Sequence, residues 1–379
     1  MKIFIGGLKA VAQTVANCQP QVISAYPITP QTHVVEELAK LKSAGKLTAE
    51  YIRAESEFSA ASIVLGAAAT GVRTYTATSS QGLLLMTEVL FNIAGMRLPV
   101  VMTCANRSVS APINIWNDQQ DSLTVRDAGW QFWYAENNQE ACDLHVQAFK
   151  VAESTQLPVI VNLDGFVLTH LTEEVDIPEA AKIKRFLPAY RPVEFLNPQK
   201  PQTFGPLVGP ADYFEIRQEL HEDLIKSQKN TLQVGREFKK VFGRAGNTLI
   251  DGYKLADAQI VLVSFGSVIG TMREVVDELR AKGVKVGILK IITYRPFPTE
   301  LIIKALAKAK IIAVVEKDIS LGGQGILATD LKAHAGQKLK APISSFVVGL
   351  GGRDVTKETI KKIIKLAPKA TTTAVTFVG

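Results

Sequence analysis

The stretch VRTYTATSSQGLLLMTEVLFNIAGMRLPVVMTCANR, residues 72–107, decides the fold. VRTYTATSS (72–80) reads as a strand running into a turn. GLLLMTEVLFNIAGM (82–96) reads as a buried helix, and LPVVMTCAN (98–106) as a second strand. The pattern recurs on both sides. VISAYPI (22–28) is a strand ending in a proline-bounded turn. THVVEELAKLKSAG (32–45) is an amphipathic helix with Val34, Val35, Leu38 and Leu41 on one face and a glycine stop. FSAASIVLGAAATG (58–71) is a helix of small residues suited to close packing, and LPVIVNLDGFVLTH (157–170) is a third strand of the same apolar kind. Strands alternating with helices predict an α/β fold with a parallel sheet.

Residues 185–210 hold six prolines and little periodicity, which marks a surface connector. Residues 211–243 are helical in pattern and strongly charged. A second α/β unit then begins: strands at 258–267, 284–293, 310–318 and 343–352 alternate with helical stretches. The expected division is a first domain over 1–184, a connector and charged helix over 185–250, and a second domain over 251–379.

Composition narrows the function. The 379 residues are 47% hydrophobic and 21% charged, enough apolar mass for two or three cored domains. No run of about 18 apolar residues exists, so no membrane span is expected. MKIFIGGLKAVAQ is too short in its apolar part for a secretory signal. Cys18, Cys104 and Cys142 lie far apart and form no C-x-x-C. They point to a reducing, cytoplasmic location and exclude a self-sufficient iron–sulfur protein. The net charge of +7 is uneven. Residues 1–150 carry 11 Lys/Arg against 12 Asp/Glu, whereas 301–379 carry 13 against 5. No aromatics interleave with those lysines, so a nucleic-acid partner is not expected; they form a solvated face or meet an acidic partner or an anionic ligand.

Several chemistries lack their motifs. There is no G-x-G-x-x-G after the first strand and no P-loop, so dinucleotide and nucleotide-phosphate readings lack a cradle. GLGG (349–352) follows a late strand without the rest of that fingerprint. No H-E-x-x-H or G-x-S-x-G occurs, and His33, His145, His170, His221 and His334 are scattered.

Three positions stand out. YPITP (26–30) places Thr29 on backbone stiffened by two prolines at the carboxyl end of a strand, where open α/β sheets bind ligands. Glu55 and Glu57 flank Ser56 before an almost uncharged helix. They read either as dipole-favoured first-turn acids or as a carboxyl that shares a proton with a ligand nitrogen. Arg107 follows LPVVMTCAN, placed either for bidentate binding of a carboxylate or phosphate or for a surface ion pair. The segment SVSAPINIWNDQQD (108–121) is long and polar for a plain loop. A hydroxyl, a carboxyl and a guanidinium after separate strands suit a small carboxylic acid together with a nitrogenous cofactor.

AYPITPQT (25–32), AESEFSAAS (54–62), TATSSQGLLLM (76–86), NRSVSAPINIWNDQQDS (106–122), GWQFWYAENNQEACDL (129–144), GSVIGTMREVVDELRAKG (266–283), TYRPFP (293–298) and GLGGRDV (349–355) carry a resemblance over nearly the whole chain. With them the sequence resembles the alpha subunits of the multi-subunit pyruvate:ferredoxin oxidoreductases, within the 2-oxoacid:ferredoxin oxidoreductases. The resemblance implies a thiamine-diphosphate-binding domain of the pyrimidine type followed by a transketolase C-terminal-like α/β domain. It implies thiamine diphosphate shared with a beta subunit, magnesium and iron–sulfur clusters held by partner subunits, and coenzyme A as co-substrate. The implied partners are beta-, gamma- and delta-type subunits and ferredoxin. The implied reaction is reversible oxidative decarboxylation of pyruvate to acetyl-CoA and carbon dioxide. The alternatives are the same chemistry on a branched-chain 2-oxoacid or 2-oxoglutarate, and a non-catalytic scaffold.

By motif position, Glu57 matches the glutamate that bonds the aminopyrimidine nitrogen. Thr29 and Arg107 match positions that hold the 2-oxoacid carboxylate, and Pro27 matches a residue near the thiamine ring. One departure is Gly7-Leu8-Lys9-Ala10, where the family usually has Gly-Asn-Glu-Ala.

Overall fold

The computed structural model describes residues 2–379. In chain order the strands of the first half are β1 (Lys2–Gly6), β2 (Val22–Ala25), β3 (Glu50–Arg53), β4 (Thr74–Thr78), β5 (Val101–Asn106), β6 (Gln131–Tyr134), β7 (Val159–Asp164) and β8 (Thr172–Asp176). Those of the second half are β9 (Ile250–Tyr253), β10 (Ile260–Ser264), β11 (Val286–Ile291), β12 (Thr293–Arg295), β13 (Ile311–Glu316), β14 (Ile343–Val347) and β15 (Val375–Phe377). One sheet runs β12-β6-β7-β5-β4-β2-β3 and a second runs β15-β14-β13-β10-β11-β9. Both are parallel except at one edge, where β12 runs antiparallel to β6 and β9 antiparallel to β11. β1 and β8 form a separate antiparallel ribbon.

The central parallel strands are buried because helices cover both of their faces. Every residue of β4, β5 and β7 is buried. The helix Glu57–Ala69 packs Ala60, Ala61, Val64 and Ala68 inward, and its small residues let it lie close to the sheet.

The stretch expected as one helix over 82–96 is two, Ser80–Leu85 and Thr87–Gly95. The Thr87 hydroxyl donates back to the Leu84 carbonyl at 2.6 Å, which competes with the regular backbone pattern at this join. β3 gives no strand signal, because EYIR is four residues with a charge at either end, as suits a strand at the sheet edge. The long helix Asn138–Thr155 also lies outside the predicted elements; its start is capped by Asn137 accepting from the Glu140 N–H at 2.9 Å.

Residues 187–209 run irregularly to the helix Pro210–Phe242. The run is pinned where the Leu196 N–H donates to the Ala69 carbonyl at 2.7 Å. Gly71, at φ +87°, makes room there for Pro192 and Phe195.

The two sheets share one core. Tyr134 of β6 packs on Phe265 with ring centroids 4.2 Å apart, and Tyr294 stands edge-on to Tyr134. Through β12, residues 293–295 leave the second unit to complete the first sheet. Beneath the first sheet, Tyr75, Thr103 and His145 form a buried chain with two links of 2.6 Å. Burial pushes His145 down to about 4, so its ring is neutral in that chain. Leu8 is fully buried and Lys9 exposed in the helix Gly7–Asn17, so the Leu-Lys pair follows that helix's own inside and outside.

Candidate functional site

The site lies at the carboxyl ends of β2, β3, β4 and β5, four neighbours in the sheet. Parallel strands all present that end to the same side, so residues far apart in sequence converge there.

After β3, Ser56 caps the helix Glu57–Ala69 by accepting from the Ser59 N–H at 3.2 Å. The cap turns the two acids to different surroundings. Glu55 is exposed and accepts from the Ser59 hydroxyl, which holds its carboxyl below the usual range. Glu57 is 7% exposed, and its carboxyl has no hydrogen-bond partner among the described residues. It lies against the helix that follows β4. A Cβ built on Gly82 would stand 2.6 Å from Glu57 Oε1 and 2.5 Å from Thr78 Oγ1. Thr78 Oγ1 is likewise buried without a partner. A buried hydroxyl and a carboxyl, both without partners and both packed against Gly82, fit a polar ligand here.

After β2, Gln31 holds the YPITP turn. Its Nε2 donates to the Ala77 carbonyl at 2.9 Å, and its Oε1 accepts from the Ile28 N–H at 3.3 Å. Thr29 and Pro27 are exposed on that turn. After β5, Arg107 Nη1 donates to the Thr29 carbonyl at 2.8 Å, and Nε donates to the Asn114 carbonyl at 3.1 Å. The guanidinium fork is therefore half spent on backbone carbonyls. Its Nη2 and the Thr29 hydroxyl make no hydrogen bond among the described residues. Partial burial pulls Arg107 below its ordinary range, and the charge of Asp121 opposes that shift.

Asp121 ties the two sides together. Its fully buried carboxylate accepts from the N–H groups of Ser80 (2.9 Å), Arg107 (3.0 Å) and Ser122 (2.7 Å), and from Asn106 Nδ2 (2.9 Å). Burial pushes this carboxyl up, while those donors pull the other way. The structure thus brings Thr29 and Arg107 into contact. It links them to Glu57 through Asp121 and the helix carrying Gly82, without a direct bond.

Residues 13–236 match the family model described as pyruvate flavodoxin/ferredoxin oxidoreductase, thiamine diphosphate-binding, and residues 258–360 match pyruvate:ferredoxin oxidoreductase core domain II. The chain belongs to this family. It is 47% identical to pyruvate synthase subunit PorA of Methanosarcina barkeri, over 99% of this chain and 94% of that one. It is 42% identical to ketoisovalerate oxidoreductase subunit VorA of Pyrococcus abyssi, over 96% and 92%. Among solved structures it resembles the 2-oxoglutarate:ferredoxin oxidoreductase of Magnetococcus marinus, solved with 2-oxoglutarate, coenzyme A and succinyl-CoA bound. That likeness has a TM-score of 0.75 at 22% identity, covering 96% of this chain but 65% of the solved chain. It establishes the shared fold.

As in a pyruvate:ferredoxin oxidoreductase, the first sheet belongs to a thiamine diphosphate-binding domain. No helix among the described residues is long and apolar enough to cross a membrane. Sequence reasoning missed Gln31, Thr78, Gly82 and Asp121, although all lie inside the segments that carry the family resemblance. Side-chain amides and buried hydroxyls give no periodic signal, so only their place beside YPITP and SSQG marks them. It also missed an aromatic row along the rim: Trp116, Phe166, His170 and His33, with neighbouring ring centroids 6.1, 4.6 and 5.1 Å apart.

Proposed function

We propose that this chain is the alpha-type subunit of a pyruvate synthase, and that it contributes the pyrimidine side of a thiamine diphosphate site. The observation that carries this reading is Glu57, a buried residue whose carboxyl has no hydrogen-bond partner among the described residues and packs against Gly82. A carboxyl so placed fits a heterocyclic nitrogen.

When bound, thiamine diphosphate supplies a stabilised carbon nucleophile for the 2-oxo carbon. The chain's own residues do the rest on this side. Glu57 holds and returns a proton at the pyrimidine nitrogen. Arg107 Nη2 and the Thr29 hydroxyl hold the substrate carboxylate, a charge-assisted pairing that fixes the 2-oxo carbon in place. Pro27 stiffens the turn that faces the cofactor. The diphosphate with its magnesium, and the iron–sulfur clusters that take electrons to ferredoxin, belong to beta-, gamma- and delta-type partner subunits. Coenzyme A accepts the acyl group.

Exposed apolar side chains beside Glu57 support a partner there. Phe58, Leu85 and Phe91 are each more than a third exposed, on the helices Glu57–Ala69, Ser80–Leu85 and Thr87–Gly95 respectively. Pyruvate is favoured over bulkier or dicarboxylic acids by the relatives at 47% identity. The isolated chain is expected to show no pyruvate-dependent viologen reduction with thiamine diphosphate, magnesium and coenzyme A added. The complex recovered with its partner chains is expected to show it. Turnover by the isolated polypeptide would refute the divided site.

A further inference from the structure

The segment from Arg107 to Gln120 makes six hydrogen bonds to the second unit. Asn114 Nδ2 donates to the Gly351 carbonyl at 3.0 Å. The Gly352 N–H donates to the Asn117 carbonyl at 2.6 Å, and the Gly351 N–H donates to Asp118 Oδ2 at 3.2 Å. The Gln119 N–H donates to the Lys317 carbonyl at 2.8 Å, and Lys317 Nζ donates to Asn117 Oδ1 at 2.9 Å. The Ile319 N–H donates to Gln120 Oε1 at 3.2 Å. Lys317 is itself buried and paired with Asp164 of β7 at 3.0 Å, so this seam is rigid on both sides.

The glycines make the fit possible. Gly351 (φ +60°) and Gly352 (φ +83°) both lie in the left-handed region. A Cβ on Gly351 would come 2.8 Å from Asn114 Nδ2, and one on Gly352 would come 2.3 Å from the Trp116 Cβ. Within its own loop, Asn114 Oδ1 accepts from Ser108 Oγ at 2.7 Å and from the Trp116 N–H at 2.8 Å. Its backbone carbonyl is the acceptor for Arg107 Nε. One residue therefore contacts the second unit through its side chain and the guanidinium through its main chain.

We propose that Asn114 is a positioning residue through which the Gly349–Gly352 turn of the second unit aims the Arg107 guanidinium, and so sets the affinity for the 2-oxoacid carboxylate. This rests on the reading of Arg107 given above. The GLGG motif then has a role with no phosphate in it: it is the anvil against which the substrate loop is shaped.

The test uses the assembled complex with its partner subunits. Asn114→Asp keeps the acceptor for Ser108 and Trp116 but removes the donor to Gly351. Gly351→Ala presses on the same amide from the other unit. Each is expected to raise KM for pyruvate about tenfold, with kcat within about twofold. KM for coenzyme A should stay unchanged. Because both act on one contact, the double variant should be no worse than the poorer single. Ser345→Ala, which loses a 2.7 Å bond to Glu316 inside the second unit, should lower the melting temperature and leave the pyruvate KM alone. That control separates aiming from general loosening. If Gly351→Ala fails to assemble, Asn114→Asp decides the matter alone. An unchanged pyruvate KM in Asn114→Asp, beside a raised KM in Arg107→Lys, would overturn the coupling and spare the reading of Arg107. An unchanged KM in Arg107→Lys would overturn both.

Discussion

Replacing Glu57 with Gln is expected to lower turnover of the assembled complex roughly a thousandfold, the scale of a lost proton-transferring group. Gln has the same length and branching, so packing against Gly82 and Thr78 is preserved. What disappears is the proton. An amide can neither hold one in place of the carboxyl nor hand it back. The cost to the fold should be small. Glu57 opens a helix whose cap is Ser56, and losing a first-turn charge costs about 0.3–1 kcal/mol. Assembly and melting temperature should therefore stay close to those of the native complex while kcat collapses. Retention of more than about a tenth of native turnover would remove Glu57 from the reaction.

Gly82→Ala is expected to cost about a hundredfold in activity, for a reason that helix propensity would not suggest. Gly82 lies inside the helix Ser80–Leu85, and alanine is preferred there by about 1 kcal/mol. The added methyl, however, would stand 2.6 Å from Glu57 Oε1, 2.7 Å from Glu57 Cγ and 2.5 Å from Thr78 Oγ1. All three atoms belong to side chains, so the backbone can stay while the carboxyl swings away. Displacement of a catalytic group by about 1 Å is enough for an effect of this size. The variant should assemble, melt near the native temperature and bind coenzyme A normally. Native activity in Gly82→Ala would mean that the Glu57 carboxyl need not occupy the place seen here.

Much of this was legible in the sequence, and the reasons differ by element. The apolar runs at 98–106 and 157–170 announced β5 and β7, because buried parallel strands are apolar on both faces, whereas β4 is a buried strand in which threonine alternates with Tyr75 and Ala77. β3 was not legible: an edge strand with charged ends resembles a loop. Residues 293–295 were assigned to the second unit by their place in the chain, whereas β12 completes the first sheet, a long-range pairing that no local pattern encodes. At the site, the residues alone do not separate Glu57 from Glu55; the family resemblance, which places the essential acid directly before the small-residue run, favours Glu57, and the structure buries Glu57 and exposes Glu55. Contact between Arg107 and the Thr29 carbonyl depends on two strand ends meeting, as β2 and β5 do on either side of β4. Spacing in the chain could suggest that meeting but not its geometry. Asp121 was invisible as a link, since one aspartate in a polar stretch has no signature until its donors are in place.

Service in a pyruvate-specific 2-oxoacid:ferredoxin oxidoreductase is tested by recovering the chain anaerobically with its native partners. Coenzyme A-dependent viologen reduction is then measured with pyruvate, 2-oxoisovalerate and 2-oxoglutarate at equal concentration. Strong reduction with pyruvate and little with the other two is the result predicted. Preference for another acid would contradict the substrate assignment, and a cluster-bearing complex inactive on all three would contradict the catalytic one.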